Sequence, residues 1–389
     1  MKTIARLSLL LLIGAGFAHQ ASAVSPTCTL PERLLSWPAV NPVWELCYLG
    51  ASDSVGPRGS GMELRNVYLH GKLVLKKAHA PMLFADYTNG TCYRDWMDTP
   101  VSFLAEPPVR NQLGTSSVFS STTSCDRSNQ PVQSFGQCPF QVAGRTTGDC
   151  FSGVSVEDRG DHVVLTTQYS AAWYFYTSRF YFYADGSFEP EFGFGNRDGT
   201  NNNVTHWHNN YWRLDFDIEG ASNDVIAQND VVQAVEFSAI RCNASTAVPC
   251  AVERKWSVTD TVSGLGFQLL PSAEDYVTPV NQSGAGYHLT DVMGTTQIAN
   301  EYSDTPGSAS LNDCGMDEEN LVNGGDLDGV GAGADVVLYY RVGVKDRTNE
   351  GAGTQDSMVC KKAGPVFTPI GNWSGVVPLP DDVFANSFE

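Results

Sequence analysis

The sequence predicts a mainly β protein, built as one large antiparallel β-sandwich, and three features support this fold class. Strand-like runs of β-branched and aromatic residues recur along most of the chain, and Phe, Trp and Tyr make up 11% of it. Tight-turn dipeptides separate several of these runs. No long stretch shows the hydrophobic period of an amphipathic helix, so we do not expect helices between parallel strands.

Two hairpins are the clearest local predictions. Residues 62–78 contain two strand-like runs on either side of His70-Gly71, which is a tight-turn signal. Residues 174–194 form a dense aromatic stretch that is interrupted once, at Asp185-Gly186, a strong hairpin signal. Each segment is therefore expected to fold back on itself as two antiparallel strands.

Three further segments have strand character. Residues 162–168 are β-branched and apolar, and residues 207–218 and 335–344 are predicted as two further strands. Residues 109–150 are rich in Ser, Thr, Gln and Cys, and we expect a long loop region held by disulfides. Residues 303–334 are rich in Gly and Asp, which predicts an irregular connection before a buried strand.

The N-terminus has the layout of a secretory signal over residues 1–23. Lys2 and Arg6 precede an apolar run at 7–18, and a small-residue cleavage site follows at 21–23. The protein is therefore expected to be secreted or periplasmic. The remainder divides into an N-terminal extension, a sandwich domain and an acidic tail, at residues 24–57, 58–375 and 376–389.

The charge balance narrows the range of partners. The chain carries 43 acidic and 24 basic residues, for a formal net charge of −19. Such a charge argues against nucleic acid or an anionic membrane as a partner. No stretch after the leader approaches the roughly 20 apolar residues that a membrane-spanning helix needs. The composition fits an exported protein that attracts cations, whether metal ions or cationic small molecules.

The ten cysteines are expected to form structural disulfides, because their number is even and the chain is exported. No two of them have CxxC spacing, which argues against a thiolate zinc site or a redox motif. Proximity suggests Cys28–Cys47 and Cys242–Cys250, while the sequence leaves the pairing of the others open.

A His-x-His pair is the strongest candidate for chemistry. His206 and His208 are two positions apart on a predicted strand, so their imidazoles point to the same face at a separation that suits copper or zinc. Asp215 and Asp217 follow at an odd offset, which places them on the opposite face if the strand has no bulge. Their carboxylates could form a separate site for a hard cation, or simply a solvated acidic surface.

These residues resemble the signature of the copper amine oxidases. Residues 206–208 read His-Trp-His, four residues follow, and residues 213–220 read Arg-Leu-Asp-Phe-Asp-Ile-Glu-Gly. The family pattern is His-x-His, four residues, then Arg-Leu-Asp-x-Asp-x-Asp-Gly. The resemblance, with further landmarks in the same order over about 58–375, implies oxidation of primary amines by oxygen, using copper and topaquinone, a cofactor made from a tyrosine of the protein.

The resemblance assigns the quinone precursor and the general base. Aligned on Asp-Gly in the aromatic hairpin, the precursor position falls on Tyr174. Tyr169 is the alternative, ranked lower because it needs an insertion and reverses the strand parity. The segment Trp-Met-Asp-Thr-Pro at 96–100 is similar to the family's base segment, which makes Asp98 the candidate base that removes a proton from the substrate.

The resemblance also implies a peripheral cation site of the calcium type. Its ligands would be the carboxylates of Asp215, Asp217 and Asp335 and the backbone carbonyls of Phe216 and Val336. This assignment would account for part of the negative charge.

Departures from the family pattern leave the activity open. Asp346 stands where the family has its third copper-ligating histidine, so copper would be held by two imidazoles and a carboxylate. His288, the last histidine, is a less favoured source of the missing ligand. Trp173 and Phe175 replace the Asn and the acidic residue that flank the precursor.

Three hypotheses follow. The first is a divergent copper- and quinone-dependent amine oxidase whose substrates are a primary amine and oxygen. The second is a catalytically inactive relative that serves in metal binding or interaction. The third is a quinone-free metalloenzyme with a two-histidine, one-carboxylate site. A homodimer is expected by resemblance alone.

Overall fold

The computed structural model describes residues 25–50, 53–54, 62–87, 91–94, 103–104, 132–133, 154–171, 174–196, 204–239, 254–271, 291–298, 321–328, 334–346 and 361–374. The first eleven strands within them are β1 (Arg33–Trp37), β2 (Trp44–Leu49), β3 (Glu63–Leu69), β4 (Lys72–Tyr87), β5 (Cys92–Arg94), β6 (Phe103–Leu104), β7 (Val132–Gln133), β8 (Ser155–Asp158), β9 (His162–Ala171), β10 (Tyr174–Tyr183) and β11 (Phe188–Asn196). The others are β12 (His206–Phe216), β13 (Asp224–Gln228), β14 (Val231–Val232), β15 (Phe237–Ala239), β16 (Trp256–Asp260), β17 (Gly266–Leu270), β18 (Val292–Thr296), β19 (Val336–Asp346), β20 (Lys361–Ala363) and β21 (Val366–Ile370).

The strands form two large antiparallel sheets. Nine strands build the first sheet, in the order β1-β2-β3-β4-β12-β19-β18-β15 with β5 paired to β4. Ten strands build the second, in the order β14-β13-β16-β17-β21-β11-β10-β9-β8 with β20 paired to β11. This architecture confirms the predicted antiparallel β fold. No helix among the described residues is long and apolar enough to cross a membrane.

Both predicted hairpins form, for a reason that lies in their turns. His70 and Gly71 both have positive φ, at 50° and 76°, as a two-residue hairpin turn of the primed type requires. In the aromatic hairpin, Gly186 has φ 87°, and the Asp185 carboxylate accepts a hydrogen bond of 2.9 Å from the Ser187 backbone N–H. The short polar side chain closes the turn without help from the rest of the fold.

Strand β12 lies in the middle of the nine-stranded sheet, between β4 and β19, and all eleven of its residues are buried. Its Trp212, Leu214 and Phe216 belong to the hydrophobic core between the sheets. Its alternate residues face the other side of the sheet, where Tyr211 packs in a second cluster with Phe84, Tyr339 and neighbouring apolar side chains. Strand β12 therefore contributes side chains to two separate hydrophobic clusters, one on each face of its sheet.

The predicted strand at 207–218 ends earlier than expected, at Phe216. The Asp217 backbone N–H donates to the Val74 carbonyl at 3.1 Å, outside the regular ladder. Glu219 and Gly220 then adopt positive φ, at 57° and 147°. A Gly with no Cβ tolerates that backbone conformation, so the Glu-Gly pair turns the chain out of the sheet.

The segment before the predicted sandwich adds two strands to its first sheet. Strand β1 pairs with β2, and β2 pairs with β3. The indole Nε1 of Trp44 in β2 donates a hydrogen bond of 2.7 Å to the Tyr183 carbonyl of the other sheet. The pairing Cys28–Cys47, predicted from proximity, is confirmed as a disulfide. Cys242 and Cys250 lie outside the described residues.

Removing this disulfide is expected to lower the free energy of unfolding by about 2–4 kcal/mol, because it closes a loop of the unfolded chain. The two cysteines are 19 residues apart, and Cys47 is fully buried. Urea unfolding of the Cys28→Ala/Cys47→Ala variant measures the loss. A midpoint equal to that of the parent protein would contradict the prediction, and Ser222→Ala in an exposed turn is the control.

Candidate metal centre

The two histidines of the His-x-His pair begin strand β12 and face the second sheet. His206 and His208 are both fully buried, and their ring centroids are 4.8 Å apart. They are two residues apart on one strand, so the alternation of the strand brings both rings to the inner face, as the sequence predicts. The same alternation puts Asp215 on the opposite face, beside Arg213.

His206 is held from two sides. Its Nδ1 lies 2.7 Å from the Val204 carbonyl oxygen, and because a carbonyl only accepts, Nδ1 carries the proton. The Tyr87 ring of β4 stacks on the imidazole, with centroids 4.5 Å apart and an interplanar angle of 16°. The lone pair of the neutral ring is therefore on Nε2, the nitrogen that would bind a metal.

His208 is oriented by a tyrosine of the other sheet. The Tyr176 hydroxyl of β10 lies 2.7 Å from His208 Nδ1. A metal at Nε2 would require Nδ1–H to donate to that hydroxyl, which is the outer hydrogen bond commonly made by metal-ligating histidines. Tyr176 itself is fully buried and stacks on Phe192, so the hydroxyl has a fixed position.

Both imidazoles are neutral near pH 7. Burial lowers the pKa of His206 to about 4, and the hydrogen bond to Val204 offsets this only in part. Burial, with His206 nearby, also holds the pKa of His208 well below its usual value. Neutral imidazole is the form that binds metal ions, so protons do not compete with a metal at this pair near pH 7.

Asp346 occupies the register position directly opposite His206. It is the last residue of β19, and the ladder between β12 and β19 pairs it with His206 without a shift. Paired residues of an antiparallel ladder lie on the same face of the sheet. The backbone therefore brings Asp346 to the strand ends where the histidines lie; its side chain is outside the described part of the structure.

Tyr174 begins β10, at the same end of the sandwich. Tyr176 of β10 contacts His208 of β12, and Phe180 contacts Trp212 four residues further along each strand. Facing residues of the two strands therefore keep a constant offset in number. Two residues earlier on each strand, the same offset places the backbone of Tyr174 at the level of His206. Only the backbone of Tyr174 is described.

The parity argument against Tyr169 is wrong. Tyr169 lies on β9, not on an extension of β10, and it pairs directly with Tyr176 across the ladder. Direct partners share a face of the sheet, so Tyr169 and Tyr176 lie on the same side. Tyr169 remains below Tyr174 only because it needs an insertion. Asp98 and His288 lie outside the described residues.

The described residues fit a divalent transition metal. Two neutral imidazoles lie side by side, each Nδ1 makes a hydrogen bond so that Nε2 would be the metal-binding nitrogen, and a carboxylate residue lies opposite in register. Two imidazoles with one carboxylate suit copper, zinc or non-haem iron. The centre lies between the sheets and is shielded from bulk water.

A second group of potential ligands lies at the other end of β12. Carboxylate oxygens of Asp215, Asp217 and Asp335 lie within 4.8 Å of one another. Arg213 neutralises part of the charge through its ion pair of 3.1 Å with Asp215. One oxygen of each of the three acids is buried without a hydrogen-bond partner in the part of the chain that is described. Oxygen donors in this number fit a hard cation such as Ca²⁺.

Asp217 and Asp335 of this cluster, and Asp224 near it, have raised pKa values. Burial, followed by the charge of Asp215, raises the pKa of Asp217 to about 6 and that of Asp335 to about 7. Burial also raises the pKa of Asp224 to about 8, although its Oδ2 accepts a hydrogen bond from the Ile218 N–H. The cluster is therefore strained by its own charge when ionised, which a bound cation would relieve.

Three residues near these sites were missed by sequence reasoning. Tyr176 could have been found, because it lies two positions after Tyr174 on the same strand face. Tyr87 and Asp224 carry no sequence signal: each reaches its site through strand pairing or chain reversal between distant segments.

Comparison with solved structures identifies the architecture. No family model matches the chain, and no curated protein matches it by sequence. Similar solved structures include an Aspergillus nidulans amine oxidase, with TM-score 0.51 and 14% identity over 98% of this chain and 56% of that one. A copper-containing benzylamine oxidase from Hansenula polymorpha has TM-score 0.51 and 12% identity over 95% of this chain and 63% of that one. A Pichia pastoris lysyl oxidase also matches, with TM-score 0.50 and 12% identity over 93% of this chain and 56% of that one.

The fold is that of the copper amine oxidases. At 12–14% identity the similarity concerns the fold alone. The chain spans little more than half the length of two of these proteins and 63% of the third. The activity of this chain is therefore argued from its own residues.

Replacing Tyr176 with Phe is expected to weaken copper binding about 10- to 100-fold, because the hydroxyl that orients His208 is lost. The aromatic ring and its packing on Phe192 stay in place. Isothermal titration with copper measures the affinity. Tyr181→Phe, on the outer face of the same strand, is the control. Equal affinities in Tyr176→Phe and the parent protein would show that the hydroxyl does not position the ligand.

Proposed function

We propose that this protein is a secreted or periplasmic amine-oxidase-like enzyme that depends on copper and a quinone. The reaction is oxidative deamination of a primary amine to an aldehyde, with release of ammonia and hydrogen peroxide. The observation that carries the proposal is the His206–His208 pair: two buried neutral imidazoles with ring centroids 4.8 Å apart, inside a fold shared with copper amine oxidases.

Copper would be held by His206, His208 and Asp346. The hydrogen bonds at Val204 and Tyr176 support the first two assignments, and the register opposite His206 supports the third. A carboxylate in place of a third imidazole adds negative charge at the metal. It therefore favours a more oxidised metal ion than three neutral ligands would.

The quinone would derive from Tyr174. Bound topaquinone supplies a carbonyl for the amine and accepts two electrons, and copper assists the return of these electrons to oxygen. The position of Tyr174 at the level of His206 supports this role, because the precursor must lie close to the metal to be modified. Asp98 keeps its predicted role as the base whose carboxylate takes a proton from the carbon next to the amine.

The remaining assignments follow from chemistry and resemblance. The substrates are a small primary amine and oxygen; neither nucleic acid nor a membrane is a partner, and the protein forms a homodimer. The carboxylates of Asp215, Asp217 and Asp335, with the carbonyls of Phe216 and Val336, hold a peripheral calcium ion. The Cys28–Cys47 disulfide supports export, since disulfides persist in oxidising compartments.

Quinone formation is tested with phenylhydrazine, which forms a coloured adduct with protein quinones. The mature protein is incubated with copper in air, treated with phenylhydrazine and digested, and the peptides are analysed by mass spectrometry. We expect an adduct on the peptide that contains Tyr174, and none in Tyr174→Phe. Tyr181→Phe, a neighbour in the same strand, is the control. Bound copper with unmodified Tyr174 would refute the quinone.

A quinone-free metalloenzyme is the second candidate, and the register of Asp346 with His206 favours it, because that ligand set needs no quinone. Asp346→Asn is expected to weaken metal binding about 10-fold or more in either case. Metal-dependent turnover without a phenylhydrazine adduct would favour this candidate. Metal uptake without any turnover would favour the catalytically inactive relative.

A further inference from the structure

Two ring contacts join the sheets next to the histidine pair. At the metal end, Tyr176 of β10 contacts His208 of β12, with centroids 5.5 Å apart. Four residues further along both strands, Phe180 contacts Trp212, with centroids 5.0 Å apart. Large side chains therefore fill the space between the sheets at both places.

Midway between these contacts, the facing positions are occupied by two short polar side chains. Ser178 lies on β10 and Asn210 lies on β12, and strand alternation turns both toward the space between the sheets. Each is only 1% exposed. Facing sheets are about 10 Å apart, a distance that a serine and an asparagine do not span together.

The polar atoms at this place lack hydrogen-bond partners. Within the described part of the chain this holds for Ser178 Oγ, for both Oδ1 and Nδ2 of Asn210, and for the adjacent indole Nε1 of Trp212. Native proteins leave few buried polar atoms unpaired, because each one loses its hydrogen bonds to water. Four such atoms on the facing sides of β10 and β12 indicate a binding site for a small molecule.

The chemistry of the site specifies what it takes. The atoms comprise two donors, one acceptor and one hydroxyl that can do both, and none of them is charged. The cross-strand neighbours are also uncharged: Leu83 and Val342 flank Asn210, and Thr167 and Phe192 flank Ser178. A neutral molecule that both donates and accepts fits, and a buried water makes about three such hydrogen bonds.

We propose that Ser178, Asn210 and the Trp212 indole form an internal water site behind His208. The bound water joins the two sheets through hydrogen bonds at the level between the two ring contacts. It lies one residue pair away from Tyr176, whose hydroxyl orients His208, and thereby supports the wall of the metal centre. The inference goes beyond the proposed function, since it needs neither copper nor a quinone.

Equilibrium unfolding of the metal-free protein tests the site. If water bridges the sheets, Ser178→Ala and Asn210→Leu each raise the unfolding equilibrium constant, by up to about 10-fold. The double variant raises it by less than the product of the single effects, because both substitutions remove the same water. If the polar atoms were buried dry, removing them would lower the constant instead, and this result would overturn the proposal. Ser238→Ala, at an exposed strand position, is the control.

A high-resolution crystal structure provides an independent measurement. We expect an ordered water within hydrogen-bond distance of the Asn210 amide and Ser178 Oγ in the parent protein, and its loss in Asn210→Leu. A parent structure without that water overturns the proposal, even if a variant happens to unfold. Neither experiment involves copper or amine oxidation, so failure here is distinguishable from failure of the proposed function.

Discussion

Replacing either His206 or His208 with alanine is expected to lower copper affinity by at least about 100-fold, and replacing both is expected to abolish binding. Changes to outer hydrogen-bond partners of a metal cost about 10- to 100-fold, and loss of a ligand costs more. The reason is geometric: the rings are 4.8 Å apart on one buried face, and both are neutral. Copper titration, followed by the electron paramagnetic resonance of the bound ion, measures the loss.

The controls separate ligation from folding. His162→Ala is the matched control, because this histidine lies on the second sheet, on the outer side, beside Asp161. His206→Asn and His208→Gln keep side-chain bulk in the core and guard against collapse of the buried site. Circular dichroism of each variant checks the sheets. Unchanged copper stoichiometry in the folded double variant would exclude these histidines as ligands.

The carboxylate cluster is expected to make stability depend on both pH and calcium. Asp217, Asp335 and Asp224 have pKa values of about 6, 7 and 8 in the folded protein, against an ordinary value of 3.8. The folded state therefore binds more protons than the unfolded state between about pH 4 and 8. Without a cation, the free energy of unfolding should fall as the pH rises through this window.

Calcium should reverse this loss. Binding to the ionised carboxylates adds about 2.7 kcal/mol at a free calcium concentration 100 times the dissociation constant, and the gain should be larger at pH 8 than at pH 5. Thermal unfolding with calcium or with a chelator measures it. Asp217→Asn should remove most of the calcium response and stabilise the calcium-free protein at pH 8. Asp230→Asn, an exposed acid, is the control. Equal calcium shifts at both pH values in the parent protein would contradict the prediction.

Much of the fold could be predicted because its signals are local. Turn chemistry at His70-Gly71 and Asp185-Gly186 determines two hairpins, and β-branched and aromatic runs determine several strands. Strands β1 and β2 were not predicted, because they are short and precede the hairpin and site motifs from which the fold was predicted. Their place in the sheet depends on β3, a partner that follows later in the chain.

The candidate site was predictable only in part. The residues of the histidine pair are two positions apart, and so are those of the acidic pair. On a strand this spacing places both side chains of a pair on the same face. The argument that ranked Tyr169 by parity failed because it assumed a continuous strand. In the structure Tyr169 lies on a separate strand, β9, and is the direct partner of Tyr176 on β10.

The sequence by itself therefore determined the antiparallel fold class, the shared inner face of His206 and His208, and the opposite face of Asp215. The tertiary structure decided which distant groups meet them: Asp346 in register with His206, and Tyr176 on His208. The physical reason is that alternation is a property of a few neighbouring residues. Register and the stacking of sheets instead depend on hydrogen bonds and packing summed over segments far apart in the chain.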